Sequence, residues 1–162
     1  MARFEDSLAR PTLSLLDRLV DEDPENTVAD RTLSHAQAMA RLKAAVLRDL
    51  RWILNARTST EPGFESEEPE ALRTSVRRLG LSDITNLDMK NPRQREQIRR
   101  RILEVIEVFE PRLDFVSVGI KENGEPGRTR FVVEGRLKTD PEPMKISFDA
   151  TVVWRNRTVD VR

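Results

Sequence analysis

The run IRRRILEVIEVFEPRLDFVSVGIK, residues 98–121, changes its period in the middle. Up to Phe109 the apolar residues Ile98, Ile102, Val105, Ile106 and Phe109 recur at three- and four-residue steps, which predicts a helix with one buried face. Asn91-Pro92 supplies an N-cap followed by proline at the first helical position, with Gln94 placed to complete a capping box. Pro111 ends the helix, because the residue before a proline is pushed out of the helical region. Beyond it Val116, Val118 and Ile120 alternate with Phe115, Ser117 and Gly119, the period of a strand. A helix therefore feeds a strand through one stiff corner, Glu110-Pro111-Arg112.

On the C-terminal side the strand period continues. Phe131, Val133, Gly135 and Leu137 form one alternating set. Met144, Ile146, Phe148, Ala150, Val152 and Trp154 form a second, and Val159 and Val161 a short third. The turn clusters 122–127, Asp140-Pro141 and Arg155-Asn156-Arg157 separate them. One apolar and one polar face predict an antiparallel meander covered by helices on one side. On the N-terminal side, Ser34 with Gln37 reads as a capping box. It opens a long helix with Met39, Leu42, Val46, Leu50 and Ile53 inward and Arg41, Arg48, Arg51 and Asn55 on the opposite face. A further helix is expected over 69–79, with Leu72, Val76 and Leu79 on its inner side and Gly80 as its stop. The fold class is α+β, with N-terminal helices packed on one face of a C-terminal four-stranded, mainly antiparallel sheet. Residues 31–162 form a single domain. Residues 1–30 form a separate segment, in which Leu13, Leu16 and Leu19 sit at helical spacing ahead of the acidic linker 21–30, as a docking helix or as a helix folded onto the chain's own core.

Composition narrows the chemistry. The 162 residues hold 28 basic and 28 acidic side chains, one His and no Cys. Thiol catalysis and disulfides are excluded, and zinc nearly so, because carboxylates alone suit harder ions. No metal and no cofactor are expected. Nucleic-acid binding is disfavoured by the neutral balance, the missing Tyr and the 5% of aromatic residues. No apolar run is long enough to span a bilayer, and the N-terminus lacks the apolar core of a signal peptide, so a cytoplasmic protein is expected. Charge is nevertheless segregated: residues 21–30 and 61–70 each carry five acids and no base, while residues 93–101 carry five Arg against Glu96. Acidic loops beside basic helices account for that pattern.

Catalytic constellations are poor. The lone His35 sits beside the helix cap, no Gly-x-Ser-x-Gly elbow occurs, and no glycine-rich phosphate loop occurs. Glu104 and Glu107 lie between apolar helix positions and are read as solvated rather than as a glycosidase pair. Taken alone, the corner Glu110-Pro111-Arg112 reads as a helix terminator with charged flanks, but it has one physical merit. Proline holds the carboxylate of Glu110 and the guanidinium of Arg112 with little entropy left to lose on binding.

The stretch 98–113 with its Glu110-Pro111-Arg112 triplet resembles the signature of the gene-25-like baseplate family of contractile tails. Leu15 to Leu19, Ala45 to Arg57 and Thr74 to Leu87 are similar to the family's type VI secretion branch, so the resemblance runs nearly the length of the chain. It implies a structural wedge component and no enzyme, despite the lysozyme label once attached to such proteins. The resemblance also implies partners. Glu110, Pro111 and Arg112 would dock on the wedge subunits TssF and TssG with TssK alongside, and a sheet edge would pair with the first sheath subunits, TssB/TssC. The whole would assemble at the inner face of the cytoplasmic membrane. Strands 114–121 and 158–161 are both candidate edges. Peptidoglycan hydrolysis, and a regulatory role like that of an anti-adaptor of related fold, are the alternatives.

Overall fold

The computed structural model describes residues 14, 17, 19, 34–58, 74–82, 91–121, 127–139, 142–153, 155–156 and 158–162. Helix α1, His35–Asn55, starts at Ser34, whose hydroxyl accepts from the Gln37 N–H while the Gln37 side chain accepts from the Ser34 N–H. That reciprocal pair is the box expected from the sequence. Helix α2, Pro92–Phe109, is capped by Asn91, which accepts from the Arg93 N–H rather than from that of Gln94. Both helices point branched aliphatic side chains at the sheet: Leu42, Val46, Leu50 and Leu54 from α1, and Ile98, Ile102, Val105 and Ile106 from α2. The architecture is α+β, as the periodicities predict.

Strands β1 (Leu113–Lys121), β2 (Arg128–Leu137), β3 (Met144–Val153) and β4 (Thr158–Val161) form one antiparallel meander in the order β1-β2-β3-β4. Phe131, Val133, Leu137, Ile146, Phe148, Ala150, Val152, Val159 and Val161 face the helices, and each is buried. Full burial of such a side chain contributes about 1.5–3 kcal/mol, so this single layer dominates stability. The register of β1 against β2 shifts between Asp114 and Ser117. Phe115 lies at that bulge with φ of 52°, a conformation strained for a bulky residue. Its exposed ring is covered by the Arg136 guanidinium at 5.0 Å.

Three expectations need correction. The described end of the predicted 69–79 helix is a single 3-10 turn, Val76–Arg78, in which Val76 is 80% exposed and Arg78 is buried. Tertiary bonds override the amphipathic pattern there. Arg101 donates to the carbonyls of Arg78 and Gly80, and the Leu81 N–H donates to Ala56 O. Gly80 is not a helix stop but a close crossing: at φ of 95° a Cβ would lie 2.2 Å from Ala56 O. Glu104 is only partly solvated: its side chain keeps 30% exposure while accepting from Arg101 at 2.9 Å and facing Arg78, and Glu107 is exposed as expected. Finally, Arg51 and Asn55 do not simply face solvent, because both reach the outer edge of β4. Leu13, Leu16, Leu72 and Trp154 lie outside the described residues, and Leu19 is 74% exposed.

Candidate functional site: a fastened corner and two unequal edges

Glu110 leaves the helical conformation (φ −121°, ψ 73°), as a residue before proline must, while its N–H still donates to Ile106 O. The side chain then folds inward. Glu110 is 1% exposed, and both of its carboxylate oxygens accept from Arg112, with Nε–Oε1 at 2.6 Å. Arg112 Nη2 also donates to Asp49 Oδ2 of α1 at 2.7 Å. The Glu110 hydrogen bond, followed by that of Asp49, raises the pKa of Arg112 and keeps it charged. Arg112 Nη1 is buried and makes no hydrogen bond among the described residues. Pro111 stays exposed, and its carbonyl accepts from Lys138 Nζ at 2.8 Å.

The corner belongs to a longer chain of charges. Asp49 Oδ1 accepts from two nitrogens of Arg48, and Arg48 Nη1 reaches Asp17 of the N-terminal segment. The Arg48 hydrogen bond holds the Asp17 carboxyl at about 2. Arg48 also lies over the half-exposed Trp52 ring at 5.0 Å. Glu110, Arg112, Asp49, Arg48 and Asp17 thus alternate in sign from the corner to the N-terminal segment. Sequence reading found Glu110 and Arg112 but missed Asp49, which lies 63 residues from Arg112. The one signal available was an acid alone among the bases of α1.

The two free edges of the sheet differ. Asp149 and Arg162 exchange both N–H···O bonds at 2.9 Å. Alternation along an antiparallel pair therefore turns the main-chain groups of Val159 and Val161 outward. Three of those four groups are covered. Asn55 accepts from the Val159 N–H and donates to Val159 O, and Arg51 donates twice to Val161 O. Carried across the sheet, the same alternation turns Val118 and Ile120 of β1 outward. There Arg99 Nη1 donates to Val118 O at 3.2 Å, and no other side chain bonds to either residue's main chain among the described residues.

His35 is exposed at the start of α1. Among the described residues no group of three or more His, Asp or Glu is placed to hold a metal, and no helix is long and apolar enough to cross a membrane.

The described residues thus form a helix-backed meander with a fastened corner and one edge more open than the other. A family model described as baseplate wedge protein gp25 matches residues 40–142, from the second turn of α1 to just before β3. The chain belongs to that family. No curated protein matches it. Membership makes this a structural baseplate component, one that meets other components of a baseplate.

Proposed function

We propose that the chain is a wedge subunit of the TssE type in a type VI secretion baseplate, and not an enzyme. It docks on TssF and TssG, with TssK beside it, at the corner formed by Glu110, Pro111 and Arg112. It starts the sheath by lending the outer edge of β1 to a strand of TssB or TssC, on the cytoplasmic side of the membrane. The observation carrying this reading is the inequality of the edges: α1 fills three of the four outward groups of Val159 and Val161, while one of the four of Val118 and Ile120 is filled. A strand with unfilled main-chain groups is a template for another chain. At the corner, Pro111 and the Arg112 flank are the parts that meet a partner, and buried Glu110 acts by orienting Arg112. The hydrolase alternative is not favoured, because Glu110 spends both oxygens on Arg112 and Glu104 is engaged by Arg101.

One pair of variants tests both halves. Arg112→Lys keeps the charge but loses the planar fork, and Ile120→Pro removes an outward N–H. With folding verified by circular dichroism, Arg112→Lys should lose TssF/TssG in a pull-down and keep TssB/TssC. Ile120→Pro should do the reverse. In the wild type, added TssB/TssC should protect the Val118 and Ile120 amides from exchange while Val159 stays unchanged. Wedge capture unaffected by Arg112→Lys removes the corner from docking, and Val118 and Ile120 amides that stay unprotected remove the edge.

A further inference from the structure

Arg99 occupies a bond that a pairing strand would need. The outward carbonyl of Val118 is an acceptor to which an added strand would bring an N–H. The guanidinium of Arg99 already donates to it at 3.2 Å. Arg99 is not there by chance of a floppy side chain. Its Nε and Nη2 each donate at 2.7 Å to the two oxygens of Glu96, three residues earlier on α2. Glu96 also accepts from Arg100 at 2.9 Å, so the carboxylate is held from two sides. A fork gripped at one end and aimed at the edge is a long charged side chain lying across an open strand, one of the ways proteins blunt such edges.

From this geometry we infer that Arg99 is a gate on the β1 edge, set by Glu96, which admits a strand only by swinging off Val118 O. The inference rests on the reading of β1 as the sheath-pairing edge. Opening the gate breaks one bond to a neutral carbonyl and strands no charge, because Arg99 keeps both bonds to Glu96. The gate therefore weakens pairing without forbidding it. It raises the threshold for unwanted partners, among them the same edge of a second copy, whose two β1 strands could otherwise meet. The β4 edge is blunted differently, since α1 satisfies three of the four outward groups of Val159 and Val161.

The test uses the full chain with Arg99→Ala, with Glu96→Gln as a milder variant that frees Arg99 from its holder, and with Ile120→Pro. Binding to purified TssB/TssC is measured by titration and self-association by sedimentation velocity. Loss of a competing hydrogen bond to a charged donor should tighten sheath binding on the order of tenfold for Arg99→Ala. Glu96→Gln should shift it in the same direction by less, and both should self-associate more strongly than the wild type. Arg99→Ala that binds and sediments like the wild type, while Ile120→Pro abolishes binding, overturns the gate and leaves the edge intact. If Ile120→Pro binds TssB/TssC normally, the edge reading fails. The gate is then decided by self-association alone, and an unchanged sedimentation profile for Arg99→Ala overturns it too.

Discussion

Glu96 stands near the start of α2 and Glu110 caps its end, and arginine nitrogens hold both oxygens of each, yet the two clusters serve opposite ends. Glu110 is 1% exposed and ties the end of α2 to the first residues of the sheet and, through Arg112 and Asp49, to α1. Glu96 sits at the surface with Arg99 and Arg100 and sets a side chain that can leave. Taking one partner from a buried pair leaves an uncompensated charge inside, whereas an exposed pair is replaced by water with little loss. Burial therefore separates a fastener from a latch made of the same two residue types.

The sharpest way to break that contrast is at its buried end. Glu110→Ala leaves Arg112 with Asp49 as its one anion and should cost about 3–5 kcal/mol in urea denaturation. A loss no larger than that of a surface charge would dissolve the distinction. Asp49→Asn should come next, at about 1.5–3 kcal/mol, since it weakens charge-assisted bonds to both Arg112 and Arg48. The smallest effect is expected from acid. Glu96 is lowered from 4.5 to about 2 by its hydrogen bonds to Arg99 and Arg100, and Asp17 from 3.8 to about 2 chiefly by Arg48. For a depressed carboxyl, the stabilisation is present above the unfolded value and is lost as pH falls through about 2. Carboxyl carbon resonances should therefore show both groups still ionised at pH 3, with the unfolding midpoint scarcely moved by the Glu96 step. Titration of either group at its ordinary value would show that its arginine contacts do not persist in solution.

Local features of the fold were legible and distant ones were not. The Ser34–Gln37 box, the Asn91-Pro92 start and the alternation of β2 and β3 are written within a few residues, so propensity and period suffice to read them. The corner was readable as a stiff acid–base elbow, but its inward fold was not, because that depends on Asp49 from another helix. Arg51 and Asn55 looked like an ordinary solvated face. Their bonds to Val161 and Val159 span about a hundred positions, and no periodicity reports such a pairing. Val76 failed for the converse reason: it keeps helical spacing with Leu79, yet the carbonyls of Arg78 and Gly80 are claimed by Arg101. Those same side-chain bonds make the two edges unequal, a difference no strand period carries.

The extra residue at Phe115 has a consequence for how this strand tolerates change. Leu113 and Val118 both point into the core although five positions separate them, an odd count that a regular pleat would send to opposite sides. The bulge acts as a half-step that resets the phase between the corner and the edge. Removing one residue from 115–116 would take out that half-step, leaving four positions between Leu113 and Val118 to match the four between their partners Leu137 and Val133, and both would still point inward. Straightening the strand with every residue kept would instead transpose inside and outside along one side of the joint, so that a seated corner would present Val118 to water and a fixed edge would eject Leu113.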